Sequence, residues 1–464
     1  MTSQLPPQVL SPLDGRYRSA VSGLGEYLSE AGLNRARVQV EIEWLITLTS
    51  NRMFGSEPLT DQQKTSLRGL AENFGQPEID ELADIEAKTR HDVKAVEYFV
   101  RSRLDALGLH SVAELTHFAC TSEDINNVAY ALTIRAAVGD VWLPKLAAVM
   151  ADLRSRADAF RSDAMLAHTH GQPATPTTMG KELAVFVHRL NRIVARVNET
   201  EYLAKFSGAT GTFAAHVTAD ADMDWPRISR EFVTGLGLTW NPLTTQIESH
   251  DWQAELYNTI SHANRVLHNL ATDVWTYISI GYFRQIPQAG STGSSTMPHK
   301  INPIRFENAE ANFELSCAVL DSLAATLVTS RMQRDLTDST TQRNIGVGLG
   351  HSVLALDNIH RGLKEIDLDR DALAADLDAN WEILGEAIQT VIRAEVVAGR
   401  SQITDPYALL KELTRGKRIG QRELTAFISD LDIGEAARQR LLGLTPAGYI
   451  GLAPQLVDYL GEPS

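Results

Sequence analysis

Between Gly293 and Pro303 the chain reads GSSTMPHKINP. It places hydroxyls (Ser294, Ser295), an imidazole (His299), an ammonium (Lys300) and a carboxamide (Asn302) in a segment with little apolar content. Gly290 and Gly293 loosen the backbone ahead of it, whereas Pro298 and Pro303 stiffen it. A plain linker has no use for Met-Pro-His-Lys. Such a set of donors, acceptors and one cation suits proton transfer beside an anionic group, and further polar clusters that fit the same chemistry recur along the chain.

Lys88 to Phe99 has a charged start followed by Val93, Val96 and Phe99 on one side of a helix. That puts His91 and Asp92 near the first turn, where anions are attracted. In Thr116 to Asn127 (THFACTSEDINN), Thr121 or Ser122 can cap a helix, but Asn126 and Asn127 are poor helix formers and ask for another role. His168 and His170 stand in a polar break between helices. Two His one residue apart can begin a metal site, but a third ligand is missing nearby and the chain has no Cys cluster, so neither metal nor cofactor is expected. Ser207 to Thr212 is Gly-rich without a preceding strand and reads as a glycine bend between helices, not a dinucleotide fingerprint. Thr244 to Asp251, with Gln246, precedes a long helix. Arg331 to Asn344 is dense in polar groups, and the spacing of Arg334, Ser339 and Arg343 suits a phosphate. Taken alone, Arg16-Tyr17-Arg18 reads as a surface turn, and Leu413 to Arg418, a basic pocket candidate, reads first as a surface charge run.

The elements that hold these groups are helices. Leu143, Leu146, Met150, Leu153, Ala157 and Phe160 step by three and four, as do Leu183, Phe186, Leu190, Ile193 and Val197. Leu256, Ile260, Ala263, Leu267, Leu270, Val274 and Tyr277 make the clearest run, and Leu349 to Ile366 repeats it. These are seams of a long-helix bundle. Strand-type alternation is scarce, so the expected class is all-α. Helices with two apolar faces bury one in their own subunit and the other against a partner, which predicts a bundle-type oligomer.

The chain has 464 residues, 44% hydrophobic and 22% charged, enough for a large core and about three domains by length. The expected divisions are 1–120, a long-helix domain over 121–367 and a helical tail over 368–464. No run approaches the length of a membrane span, and the start lacks the charged and apolar regions of a secretory signal. Cys120 and Cys317 are the only cysteines, as suits a reducing cytoplasm without a disulfide framework. A formal charge of −15 disfavours nucleic acid as a partner but allows an anionic small molecule in a locally basic pocket.

Taken together, GSSTMPHKINP, Arg16-Tyr17, TRHDVKAVEYF, HFACTSEDINN, THGQPATPTTMGKE, NPLTTQIE, the Arg331–Thr340 segment and LTRGKR resemble, in the right order, the aspartase/fumarase lyase superfamily. Within it they are most similar to the adenylosuccinate lyases of the longer bacterial type. The likeness spans nearly the whole chain. It implies three helical domains, a central bundle forming the core of a homotetramer, and active sites that each draw on three subunits. It also implies a carbon–nitrogen lyase that removes fumarate from small-molecule N-succinyl nucleotides of purine synthesis: adenylosuccinate, giving AMP, and the succinylaminoimidazole carboxamide ribotide, giving AICAR.

The resemblance places the base at Ser294 and the acid at His170, with His91 supporting His170 or binding phosphate. Lys300 and Asn302 become the carboxylate clamp, with Thr121, Ser122 and Gln246 as further donors to the succinyl part. Arg16, Tyr17, Arg334, Ser339 and Arg343 become phosphate and ribose contacts. Arg90, Asp92, Ser295, Ile301, Asn308, Thr340, Thr341 and Gln342 complete the implied binding set. Two departures stand out. Position 90 is Arg where this branch often has Asn, and Arg393 to Pro406 is longer than the usual loop before Tyr407. Argininosuccinate lyase and fumarase types share the opening loop but usually carry Gln or Gly at the position of His299 and lack TSEDINN. An inactive structural relative would have no need of Ser294, His170, Lys300 and His91 together.

Overall fold

A computed structural model describes residues 9–287, 297, 300–414 and 419–461, the side chains of 412–414 excepted. The helices of the first half are α1 (Arg18–Leu28), α2 (Glu30–Ser50), α3 (Asp61–Glu72), α4 (Gln76–Thr89), α5 (Asp92–Ala106), α6 (Ser122–Ala136) and α7 (Leu143–Ala159). Next come strands β1 (Ala164–Thr169) and β2 (Gln172–Thr178), α8 (Met179–Asn198), β3 (Leu203–Ala204), α9 (Ala214–Ala219), α10 (Trp225–Gly235) and β4 (Thr239–Trp240). The long α11 (Asp251–Ser279), β5 (Phe283–Gln285), α12 (Ile304–Leu327), α13 (Thr337–Gln342), α14 (Ile345–Lys364) and β6 (Ile366–Leu368) follow. The tail holds α15 (Arg370–Asp378), α16 (Gly385–Val397), α17 (Pro406–Thr414), α18 (Gln421–Ser429) and α19 (Glu435–Leu442). The class is all-α in substance, as the periodicity predicts. Among the described residues the strands form three two-stranded pairs, β1–β2, β3–β4 and β5–β6.

By internal contacts the chain forms two compact units. One comprises Met1–Leu146, Ile193–Arg265 and Ala311–Asp357; the other comprises Ala147–Arg192, Val266–Glu310 and Asn358–Ser464. The divisions fall inside α7, α8, α11, α12 and α14.

In the first unit α2 is buried around most of its circumference and is accordingly central: Val38, Val40, Ile42, Leu45 and Leu48 are fully buried, and so are Arg37 and Glu41. Trp44 packs its ring 4.5 Å from Phe206 and 5.2 Å from Phe232. A buried polar relay fixes the register of the long helices. The Trp142 indole N–H donates to Ser352 Oγ at 2.8 Å, Ser352 Oγ to Asn264 Oδ1 at 2.7 Å, Asn264 Nδ2 to Ser316 Oγ at 2.9 Å, and Ser316 Oγ to the Gly348 carbonyl at 2.7 Å. Such a chain specifies one alignment, because sliding any helix leaves a buried donor unmade.

In the second unit the stretch Ala164–Thr178 is a β-hairpin, where the sequence reads as a polar break between helices. Thr169 pairs with Gln172, leaving His170 and Gly171 as a two-residue turn with φ of 54° and 72°. Positive φ at both positions is the twist-matched hairpin turn. Pro173 and Pro176 within β2 hide the strand from a pattern reading, since prolines argue against strands. The tail packs around Leu384, Ile388, Ile392, Leu424, Ile428 and Leu441. The long segment after α16 is pinned there: Arg400 donates twice to Glu395, at 2.8 and 2.7 Å, and the Gln402 N–H donates to Asp432 at 2.8 Å. The hydrogen bond from Arg400 holds the Glu395 carboxyl down to about 2.

Candidate active site

In the first unit one chain of charges and hydrogen bonds links four of the candidate residues, Asp92, Arg343, Arg334 and Gln246. Arg37, on the buried face of α2, is the hub. Its Nη2 lies 2.9 Å from Asp92 Oδ2, its Nε donates to Asn126 Oδ1 at 2.9 Å, and its Nη1 to Asn34 Oδ1 at 2.9 Å. Arg343 donates to the same Asp92 oxygen at 3.1 Å and to Glu30 at 2.5 Å. Asn126 passes the chain on to Glu123 Oε1 at 2.9 Å. That oxygen also accepts from Arg334 Nη2 at 2.9 Å, and Arg334 Nη1 donates to Gln246 Oε1 at 3.3 Å. Burial alone would raise the Asp92 carboxyl, but Arg37, the Val93 N–H and Arg343 together hold it below the ordinary range. Burial pushes the Glu123 carboxyl up, against the pull of Arg334.

Arg334 and Arg343 thus stand at different nodes. Arg334 belongs with Gln246 and the start of α6; Arg343 belongs with Asp92 and α2. Between them α13 carries Ser339, Thr340, Thr341 and Gln342. Gln342 is buried and its Nε2 has no partner among the described residues. Arg90 ends α4 at φ 54°, which turns the chain into His91. His91 caps α5: its Nδ1 accepts the Lys94 N–H at 3.2 Å. In the neutral ring the proton therefore sits on Nε2, a donor on an exposed side chain.

Thr121 and Ser122 are half-buried where α6 begins. The Asn126–Asn127 pair left unexplained by helix propensity is structural. Asn126 bridges Arg37 and Glu123, and Asn127 exchanges two hydrogen bonds with the Lys205 backbone, at 2.8 and 3.0 Å. Near the chain start, the Arg16 guanidinium stacks 5.9 Å from the Tyr17 ring. Arg18, Asp14, Glu26 and Arg343 line a cleft of about 630 Å³. Arg18, quoted in the sequence only as part of a basic turn, therefore shares a cleft with Arg343. A separate cleft lined by Arg35, Arg68 and Arg135 holds none of the candidates, and these arginines are engaged by Glu26, Glu43 and backbone carbonyls.

The second unit holds the remaining described candidates. His170 is exposed at the hairpin tip. The hairpin is braced from several sides: Tyr282 Oη reaches the Leu166 carbonyl at 3.4 Å, Thr177 Oγ1 donates to Glu182 at 2.8 Å and Thr175 Oγ1 to Glu386 at 2.6 Å. Lys300 and Ile301 are exposed and Asn302 half-buried just before α12, with the Ile301 carbonyl accepting from Gln285. Asn308 lies on the first turns of α12. Ser294, Ser295, His299 and the basic stretch 415–418 lie outside the described residues. Among the described residues no three His, Cys, Asp or Glu side chains converge as a metal site, and no helix is long and apolar enough to cross a membrane.

Sequence reasoning singled out neither Arg37 nor Glu123 as part of this network. A signal was present for Arg37, a charged residue between the apolar Ala36 and Val38 that must find a buried partner; Glu123, in the polar segment Thr121 to Asn127, had none.

Two solved structures share this fold across almost the whole chain. A fumarate lyase from Mesorhizobium sp. BNC1 matches with a TM-score of 0.74 at 20% identity, over 95% of this chain and 98% of that one. A 3-carboxy-cis,cis-muconate lactonizing enzyme from Pseudomonas putida matches with a TM-score of 0.72 at 20% identity, over 95% and 96%. Family models agree in detail: one described as Lyase matches residues 15–317 and one described as Adenylosuccinate lyase C-terminal matches residues 330–450. The fold and the sequence together are those of a lyase. Adenylosuccinate lyases from Escherichia coli and Vibrio cholerae are each 45% identical to it, over 97% of this chain and 98% of theirs, and that of Haemophilus influenzae is 44% identical over the same shares. The chain belongs to the adenylosuccinate lyase family.

Proposed function

We propose that this enzyme eliminates fumarate from adenylosuccinate, leaving AMP, and from the succinylaminoimidazole carboxamide ribotide, leaving AICAR. The observation that carries the proposal is identity of 45% across 97% of the chain with curated relatives of that name. His170, Ser294, Lys300 and His91 are all present in the chain. Ser294 takes the proton from the carbon next to a succinyl carboxylate. The resulting doubly charged aci-carboxylate is held by Lys300 and Asn302, with Thr121, Ser122 and Gln246 as further donors. The C–N bond then breaks while His170 returns a proton to the leaving nitrogen. Each proton transfer is worth about 10²–10⁴-fold, and charge stabilisation is often the larger share.

The nucleotide half falls to Arg16, Tyr17, Arg343, Ser339 and the α13 segment, with Arg90, His91 and Asp92 beside them. Arg334, paired to Gln246, reads better as an organiser of the succinyl side. Ser295, Ile301 and Asn308 complete the set. No cofactor is needed, because the proton moves and the charge is held by side chains alone.

We also take the working assembly to be a homotetramer with active sites shared between subunits. Apolar side chains stand exposed on the long helices of this chain: Val185 on α8, Trp275 on α11 and Leu315 on α12 are 42%, 41% and 51% exposed. A second copy would cover them. Two unpaired cysteines fit a reducing compartment, taken here as the cytoplasm. The test is to supply each purine substrate to the purified protein and follow the ultraviolet change on cleavage. Cleavage of both is the expected result; a protein that cleaves neither overturns the proposal.

A further inference from the structure

We propose that Asp124 and Lys205 act as a buried positioning pair, locking the groups that grip the succinyl carboxylates into one arrangement. The inference rests on the reading above, in which Thr121, Ser122 and Gln246 are those groups.

Asp124 and Lys205 are both fully buried, and Lys205 Nζ lies 2.9 Å from Asp124 Oδ1. The carboxylate joins two separate pieces of backbone. On the α6 side, its Oδ2 accepts the Thr121 N–H at 2.8 Å. On the other side, its Oδ1 accepts the Ser207 N–H at 2.9 Å, and both oxygens share the Gly208 N–H, at 3.2 and 3.1 Å. Lys205 Nζ closes the loop by donating to the Gly208 carbonyl at 2.8 Å.

That loop in turn holds Gln246. The Ala209 carbonyl accepts the Gln246 Nε2 at 3.0 Å. Gly211 lies flush against the next strand of backbone: a Cβ there would stand 2.2 Å from the Thr244 carbonyl oxygen. The start of α6, the 205–211 loop and the segment of Gln246 therefore move as one block. An aspartate suits its centre because two anionic oxygens accept several N–H groups at once, which a carboxamide cannot do. A lysine suits the position beside it because a lone carboxylate in the core would lack compensation. Sealed from solvent, the pair does not meet substrate; these are positioning residues.

The test compares Lys205→Met with the unaltered enzyme, reading inhibition by fumarate and by AMP separately, with folding checked by circular dichroism. A positioning role raises the fumarate inhibition constant at least about tenfold and moves the AMP constant less than about threefold. Equal changes in both constants, or no change in a folded variant, overturn the proposal. Should Lys205→Met not fold, hydrogen exchange of the unaltered protein decides the matter. Fumarate, but not AMP, then slows the Thr121, Ser207 and Gly208 amides together; protection of one segment alone overturns it. Unaltered enzyme that fumarate does not inhibit at all marks a failure of the proposed function itself, seen before any variant is made.

Discussion

The guanidinium of Arg334 lies 2.9 Å from the carboxylate of Glu123, whose side chain is only 5% exposed. The arginine with phosphate-like spacing in the sequence is thus occupied by a buried acid and, at 3.3 Å, by Gln246. Removing Arg334 strands a buried charge. Arg334→Met is expected to lower the unfolding free energy by about 3–5 kcal/mol. Adding Glu123→Gln is expected to recover most of that stability but not the kcat/KM, since Gln246 Oε1 stays without the Arg334 donor. Urea denaturation and steady-state kinetics on both variants check this, and full recovery of kcat/KM in the double variant contradicts it.

The hairpin turn makes a second case. Gly171 holds φ of 72°, and nothing lies within 4 Å of where a Cβ would stand. A side chain there meets backbone strain and no clash. Gly171→Val is expected to cost about 1–2 kcal/mol locally, and by shifting His170 to reduce kcat by up to about 10²-fold. Gly171→Asn, which tolerates the left-handed region, is expected to lose far less. Equal kcat in the two variants would sever His170 from the turn geometry.

Shared sites give a third expectation. Ser294→Ala is expected to keep substrate binding and lose about 10²–10⁴-fold in turnover. Inactive His170→Ala and Ser294→Ala proteins, mixed under conditions that let subunits exchange, are expected to regain part of the activity. Reassembled mixtures without any activity rule out sites built from several subunits.

His216 supplies a pH expectation. It is buried among Trp44, Phe213 and Trp225, both ring nitrogens lack partners among the described residues, and burial lowers its pKa to about 4. The unfolded chain binds this proton at an ordinary pKa of about 6.5. Stability is therefore complete above that value and falls as pH drops towards 4. Between pH 7 and 5 this one group is expected to remove about 2 kcal/mol. His216→Phe is expected to flatten that part of the stability–pH curve, measured by denaturant midpoints; an unchanged slope contradicts the assignment.

The long helices were legible because burial imposes a period. Leu256, Ile260, Ala263, Leu267, Leu270 and Val274 are all buried, as their spacing predicts. Of the two residues that could open α6, Thr121 takes the N-cap position, and its N–H donates to Asp124 at 2.8 Å. The hairpin carrying His170 was not legible, because its strands contain prolines and few β-branched apolar residues. The 207–212 segment, expected to bend between helices, instead runs from β3 to α9. Lys205 carries no local signal at all: its partner Asp124 is remote in sequence, and only the packing of α6 on β3 brings them together. Roles that depend on pairing across distance escape a reading built on neighbours.

The most direct measurement of the account is product stoichiometry. Purified protein is incubated with adenylosuccinate, and fumarate and AMP are separated and quantified. One fumarate and one AMP for each adenylosuccinate consumed, with formation abolished in His170→Ala and Ser294→Ala, is the predicted result. Adenylosuccinate that persists unchanged, or is consumed without fumarate, contradicts it.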